Sequence, residues 1–194
     1  MRLSDDSIEP VRKARTVPLD PVEAFDLFTT RMGAWWPLAS HSIAEHNATG
    51  IRFEERIGGR VIELTEDGTG HSWADVIAWD PPHRFVVAWH PSVQPDAATI
   101  LEVRFNPGPD GGTRLELEHR GWEEFGDERG NAARTGYQSG WSIVLEPFET
   151  ASSAATGVPG RRHDDAVEPS EDLLEQRLPA PPAPRRITTH TEHP

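Results

Sequence analysis

The alternation of apolar and polar residues changes period twice along the 194-residue chain. Residues 11–18, VRKARTVP, suit a first strand. Asp20-Pro21-Val22-Glu23 then supplies an N-cap, a proline at the first helical position and an acid in the first turn. The apolar stripe Val22, Phe25, Phe28 and Met32 follows helical spacing, and Gly33 with Trp35-Trp36-Pro37 marks its end or a second short helix. From 51 to 120 the period falls to two. Turn residues at Gly58-Gly59, Asp67-Gly68, Asp80-Pro81-Pro82 and Pro109 to Gly112 divide this stretch into an antiparallel meander. Beyond Gly121 the helical period returns, with Ala133, Tyr137, Trp141, Val144, Leu145 and Phe148 on one side of a long helix. The predicted fold is α+β: a curved antiparallel sheet of about seven strands wrapped around the long C-terminal helix, with one or two short helices after the first strand.

Strand alternation assigns faces. If Asp80 to His83 make a turn, Ala78 lies opposite Phe85, Val76 opposite Val87 and Ala74 opposite Trp89, all pointing inward. Trp73, Ile77 and Trp79 then point outward. A two-residue turn at Gly58-Gly59 places Phe53, Glu55, Ile57, Arg60, Ile62 and Leu64 on one inner face, with Glu55 and Arg60 close enough to pair. Leu101, Val103 and Phe105 face inward on a later strand, and Leu115, Leu117 and His119 do so on the last. The small inward residues Ala74 and Ala78 leave room for a cavity.

Composition narrows the function. Net charge is −13, which repels phosphate backbones, and no basic patch appears in the sequence, so nucleic acid is not an expected partner. No apolar run is long enough to span a membrane, and MRLSDDSIEP does not read as a signal peptide. The chain therefore reads as soluble and cytoplasmic. It has no cysteine, which removes thiol chemistry and is compatible with a reducing compartment. His41 and His46 are not spaced to share a helical face, HExxH is missing, and no dinucleotide, Walker or GxSxG motif occurs. Neither a metal nor a cofactor is expected. Residues 1–10 read as a flexible N-terminus, 11–150 as the folded domain and 151–194 as a disordered tail rich in proline, alanine and charge. Leu173, Leu174 and Leu178 form that tail's one apolar cluster.

The strings FDLFT, WWPLASHSI, IGGRVIE, WADVIAWDPPHRFVVAW, EHRGW and YQSGWSIVLEPF, taken in order over residues 11–149, resemble the SRPBCC or START-like superfamily. They are most similar to its branch named after the activator of the heat-shock-protein-90 ATPase. The resemblance implies a helix-grip architecture with a cavity between sheet and helix. It covers hydrophobic-ligand carriers, polyketide cyclases and co-chaperone domains, and so implies less about activity. Where Glu55 stands, family members often carry proline.

The expected site is the inner surface of the grip: Trp36, Phe53, Glu55, Arg60, Val76, Trp89, Val103, His119, Tyr137 and Trp141 around a hydrophobic small molecule. Glu55 and His119 are the candidate acid/base pair of a cyclase- or dehydratase-type enzyme using the same cavity. A structural ion pair at Glu55–Arg60 and a structural hydrogen bond at His119 are the plain alternatives. Trp35, Trp36 and Trp122 read as plugs capping the two ends of the grip, with ligand contact as the alternative. A third possibility is docking on a chaperone, or self-association, through an outer patch of Trp73, Ile77 and Trp79.

Overall fold

The structure, a computed structural model, describes residues 8–91 and 97–156. The strands are β1 (Val11–Val17), β2 (Ala48–Phe53), β3 (Arg60–Thr65), β4 (Gly70–Asp80), β5 (Arg84–Trp89), β6 (Thr99–Pro107) and β7 (Thr113–Arg120), and the helices are α1 (Pro21–Phe28) and α2 (Asp127–Ala155). Every neighbouring strand pair is antiparallel, in the order β1-β7-β6-β5-β4-β3-β2. The meander therefore returns its first strand to the edge beside its last. The curled sheet grips α2, as the alternation and the family resemblance both imply.

Asp20 caps α1, its side chain accepting from the Glu23 amide at 2.9 Å. Ala24, Phe25, Leu27 and Phe28 are the buried face, whereas Val22 is 62% exposed. The expected stripe is thus rotated: α1 presents the 24/25/28 side to the sheet and leaves its first turn to solvent.

The long helix runs past the predicted limit of 150 to Ala155, with Ser152 wholly buried and bonded to the Phe148 carbonyl. Pro147 lies within it and does not end it. Gly130 has a packing reason, since a Cβ there would lie 2.3 Å from the Trp122 carbonyl oxygen. At the N-terminal side, Ile8 packs against the core and the Glu9 carbonyl accepts from Arg134 on α2, so residues 8–10 are fastened to the domain. The predicted tail cluster of Leu173, Leu174 and Leu178 lies outside the described residues.

Two β-bulges revise the expected faces. In the β4–β5 hairpin Ala74 opposes Trp89 and Val76 opposes Val87 as predicted, but Ile77 is an extra residue and Ala78 falls opposite Val86. Trp79 is thereby moved opposite Phe85 onto the inner side, where it packs against Phe25 and Phe53 with centroids 5.0 and 5.4 Å away. A second bulge between β3 and β4 leaves Trp73 unpaired between Val61/Ala74 and Ile62/Ser72, and its ring turns inward with only 2% exposure. Of the supposed outer patch only Ile77 remains exposed, so Trp73, Ile77 and Trp79 do not form one apolar surface.

The glycine hairpin is also longer than expected. Phe53 pairs with Val61 and Ile51 with Glu63, and residues 54–59 form a loop that is hydrogen-bonded to β4 through Gly58 and Gly59. Gly58 takes a φ of +74°, and at Gly59 a Cβ would come 2.3 Å from the Glu54 carbonyl oxygen. The glycines serve this wide loop rather than a two-residue turn. Val61 and Glu63, not Arg60 and Ile62, consequently share the inner side with Phe53.

Candidate functional site

The interior between sheet and helices divides into two aromatic clusters. Under α1, Phe25, Phe28, Phe53, Trp79, Phe85, Phe105 and Phe148 pack with neighbouring centroids about 5.0–6.3 Å apart. Beside the N-terminal half of α2, Trp36, Trp73, Trp89 and Trp141 form a box. Trp36 stands 5.1 Å from Trp73, 6.2 Å from Trp89 and 6.0 Å from Trp141, and Trp89 is 5.8 Å from Trp141. Trp35, 5.7 Å from Trp36, joins the two clusters. Two of the three tryptophans of the β4–β5 hairpin, Trp73 and Trp89, thus belong to one wall, and the third faces the phenylalanines.

Each buried indole N–H in and around the box has a protein acceptor. Trp35 donates to the Leu27 carbonyl, Trp36 to His41 O, Trp73 to Glu63, Trp89 to the Tyr137 hydroxyl, Trp122 to His119 O and Trp141 to His119 Nδ1, over 2.7–3.1 Å. These bonds orient the rings, and the box walls are left with π faces and hydrocarbon edges.

His119, wholly buried at the end of β7, has its protonation fixed by its partners. An indole only donates, so Nδ1 must accept from Trp141 and the ring hydrogen sits on Nε2. Nε2 is 2.7 Å from Thr99 Oγ1, which can accept that hydrogen while donating its own to the Trp89 carbonyl at 3.1 Å. Burial, assisted by Arg120, pushes its pKa well below the usual histidine range. His119 is therefore a neutral strut joining β5, β6, β7 and α2, with no free nitrogen for a substrate. Tyr137, 4.8 Å from its ring, is pushed up to about 12 by burial and stays a phenol.

Glu55 is elsewhere. It is exposed in the 54–59 loop, its carboxylate accepting from Thr30 Oγ1 at 2.6 Å and Thr29 Oγ1 at 3.4 Å. Arg60 is exposed too, with its guanidinium 3.9 Å from Glu54 rather than beside Glu55. The proposed Glu55/His119 acid/base pair thus fails: one member is on the surface and the other is fully bonded internally. The cause is the wide glycine loop, which removes Glu55 from the strand and reverses the face of Arg60. Phe53 belongs to the phenylalanine cluster, and Val76 and Val103 are buried in the core. Trp36, Trp89, Trp141, Tyr137 and His119 are brought together.

The sequence reading missed the polar residue that organises this end of the molecule. Glu63 is wholly buried, and its carboxyl oxygens accept from Ile43 N at 2.7 Å, Ala44 N at 2.6 Å and Trp73 Nε1 at 2.9 Å. One carboxyl group thereby ties the crossing segment 37–47 to the bulged tryptophan of β4. The same segment holds Trp36 through His41 O. The signal was the single acid amid the apolar inner positions of RVIELTE, concealed by the wrong hairpin register.

His41 differs from His119. It is 3% exposed, its Nδ1 lies 2.8 Å from Ser40 Oγ, and its Nε2 has no partner. Among the described residues, only this nitrogen and Ser72 Oγ are buried side-chain polar atoms without a hydrogen bond. Burial lowers the pKa of His41 and favours the neutral ring.

On the convex face, a groove of about 410 Å³ runs over β1, β7 and β6. It is lined mainly by charged side chains, among them the pair Arg12–Glu118 across β1 and β7 at 2.9 Å and the pair Arg104–Glu102 along β6 at 2.6 Å. Its chemistry is that of an ion-pair ladder rather than of an apolar ligand site. Among the described residues no group of three or more His, Cys, Asp or Glu is arranged to hold a metal, and no helix is long and apolar enough to cross a membrane.

Comparisons agree with this architecture. An anthrahydroquino-γ-pyrone synthase, Txn09, is 32% identical, with a TM-score of 0.51 over 75% of this chain and 97% of its own. The self-sacrificing resistance protein CalC from Micromonospora echinospora is 25% identical, with a TM-score of 0.58 over 75% of this chain and 95% of its own. An AHSA1-like protein from Aeromonas hydrophila, 18% identical with a TM-score of 0.51 over 80% of this chain and 99% of its own, shares the fold. No curated protein matches the sequence significantly. The model of the family described as Activator of Hsp90 ATPase homolog 1-like protein matches residues 19–152. With its grip sheet, long C-terminal helix and this match over most of its length, the chain belongs to the Activator of Hsp90 ATPase homolog 1-like family.

Proposed function

We propose that the protein binds a small molecule containing fused aromatic rings, held between the sheet and α2 against the tryptophan box. The observation that carries this reading is the box itself: four indoles, fixed by hydrogen bonds to the protein, whose remaining surface suits stacking and edge contact with flat apolar rings. Similarity to a protein named as an anthrahydroquino-γ-pyrone synthase supports the same ligand class. The rings of the box touch one another, so admission of a ligand requires Trp36 and the 37–47 segment to swing outward. Two devices resist that movement, the Glu63 clamp and the Trp36–His41 bond. The acidic, cysteine-free chain fits work in a reducing cytoplasm.

An enzyme using the same interior is the second reading, favoured by the 32% identity to a synthase. It cannot use Glu55 and His119 as its acid and base. Docking on a chaperone has lost the patch that motivated it, because Trp73 is buried and Trp79 faces Phe25 and Phe85.

Native mass spectrometry of the protein purified from its own host tests the binding reading. A retained small molecule with the absorbance of fused aromatic rings is the expected result. Retention of a lipid, or of a protein alone, would overturn it.

A further inference from the structure

We infer that the ε-amino group of Lys13 is a carbon dioxide site, forming a carbamate held between Arg134 and Arg15 on the seam where β1 lies along α2. The inference is independent of the tryptophan box.

Three contacts fasten that seam in order. Arg134 Nε donates to the Glu9 carbonyl at 3.2 Å, Lys13 Nζ donates to Ser142 Oγ at 2.8 Å, and Arg15 Nε lies 3.0 Å from Glu149 Oε2. Lys13 thus occupies the middle rung, with an arginine on either side. The one carboxylate of the three rungs is taken by Arg15. Among the described residues Lys13 and Arg134 have no carboxylate partner, although the chain carries 32 acids against 19 lysines and arginines, so the seam is a local excess of positive charge. The neighbouring strand adds no charge to it. On β7, Leu117 is the partner of Lys13 and Leu115 that of Arg15, and both leucines are buried. Lys13, the only lysine of the chain, is itself half-buried.

These surroundings favour the uncharged amine. Burial first, then Arg15 and Arg134, lower the pKa of Lys13 from its ordinary value. A desolvated lysine beside other cations is the nucleophilic form of this side chain. Its nitrogen lone pair bonds to the carbon of carbon dioxide, one C=O pair moves onto oxygen, and a proton leaves nitrogen for solvent, giving the carbamate and H⁺. No leaving group or further reactant is needed. The product is an anion, so the cations that oppose the ammonium stabilise the carbamate. Ser142 suits both states: its hydroxyl oxygen accepts from the ammonium while lying 3.4 Å from the Gln138 carbonyl, and it turns to donate to a carbamate oxygen. An imine or amide at the same nitrogen carries no negative charge and leaves Arg134 unpaired.

The test equilibrates the full chain with ¹³C-labelled bicarbonate near neutral pH, traps carbamates by O-ethylation with triethyloxonium, and locates them by peptide mass spectrometry. A labelled adduct on Lys13 is expected, half-saturated at a carbon dioxide concentration about tenfold below that needed by Nα-acetyl-lysine amide, the worth of one pKa unit. Arg134→Gln removes the unpaired cation and is expected to weaken the adduct several-fold. Lys13→Arg should abolish it. The wild-type comparison with the free amino-acid derivative stands whether or not the variants fold. Label confined to the α-amino group, bicarbonate bound without a covalent adduct, a half-saturation equal to that of the reference amine, or an adduct indifferent to Arg134→Gln would each overturn the inference.

Discussion

The indole of Trp141, on α2, donates to Nδ1 of His119, on β7, across 3.1 Å. That contact fixes the tautomer of a wholly buried histidine and aligns the long helix with the sheet. It also has a pH consequence. The folded-state pKa of His119 is depressed well below 6.5, so its contribution to stability is fully present above the unfolded value near 6.5 and is lost as pH falls from there through the folded pKa. The lowered pKa of His41 acts in the same direction. The protein is expected to lose stability on acidification below about 6.5, with His119 remaining the neutral Nε2–H form at pH 5.5 by ¹⁵N NMR. An ordinary titration of His119 near 6.5 would contradict the buried network.

Glu63 and Glu55 should exchange the importance the sequence suggests for them. Glu63→Gln replaces one acceptor oxygen with an NH₂ group facing N–H donors, and is expected to cost about 1–3 kcal/mol in chemical denaturation. Glu55→Gln, on an exposed loop, should change stability by no more than about 0.5 kcal/mol. Equal effects would contradict the assigned positions.

Much of this architecture is legible in the sequence because its periodicity is strong. The switch from helical to alternating and back to helical spacing predicts the sheet, the long helix and the inward positions of Leu101, Val103, Leu117 and His119. The hairpins are harder, since one inserted residue reverses everything beyond it. Ile77 and the unpaired Trp73 are such insertions, and nothing in HSWADVIAWD distinguishes a bulged residue from a regular one. The same kind of error hid Glu63. The burial of His41 has no signature in the sequence, where its spacing from His46 bears only on metal binding.

The corrected tryptophan faces give distinct expectations. Trp73→Ala and Trp89→Ala each remove a large buried ring and should each cost roughly 3–5 kcal/mol. Trp79→Ala, at a half-buried position, should cost clearly less. Urea denaturation of the three variants checks the order, and a small loss at Trp73 would return it to the outer face.

Shortening the chain to residue 156 is expected to leave the melting temperature within a few degrees of the full-length value, because α2 closes at Ala155 with Ser152 buried. Ending at residue 150 should be worse, since it deletes the last helical turn. A drop exceeding ~10 °C for the 156-residue chain would show that later residues contribute to the fold.

The central claim, that the tryptophan box receives a fused-ring aromatic, is tested most directly by following the indole N–H resonances of all seven tryptophans during titration with 1-naphthol. The account predicts saturable shifts at Trp36, Trp73, Trp89 and Trp141, with Trp79 the least affected. Saturable binding that shifts Trp79 and leaves the four box resonances in place would contradict it.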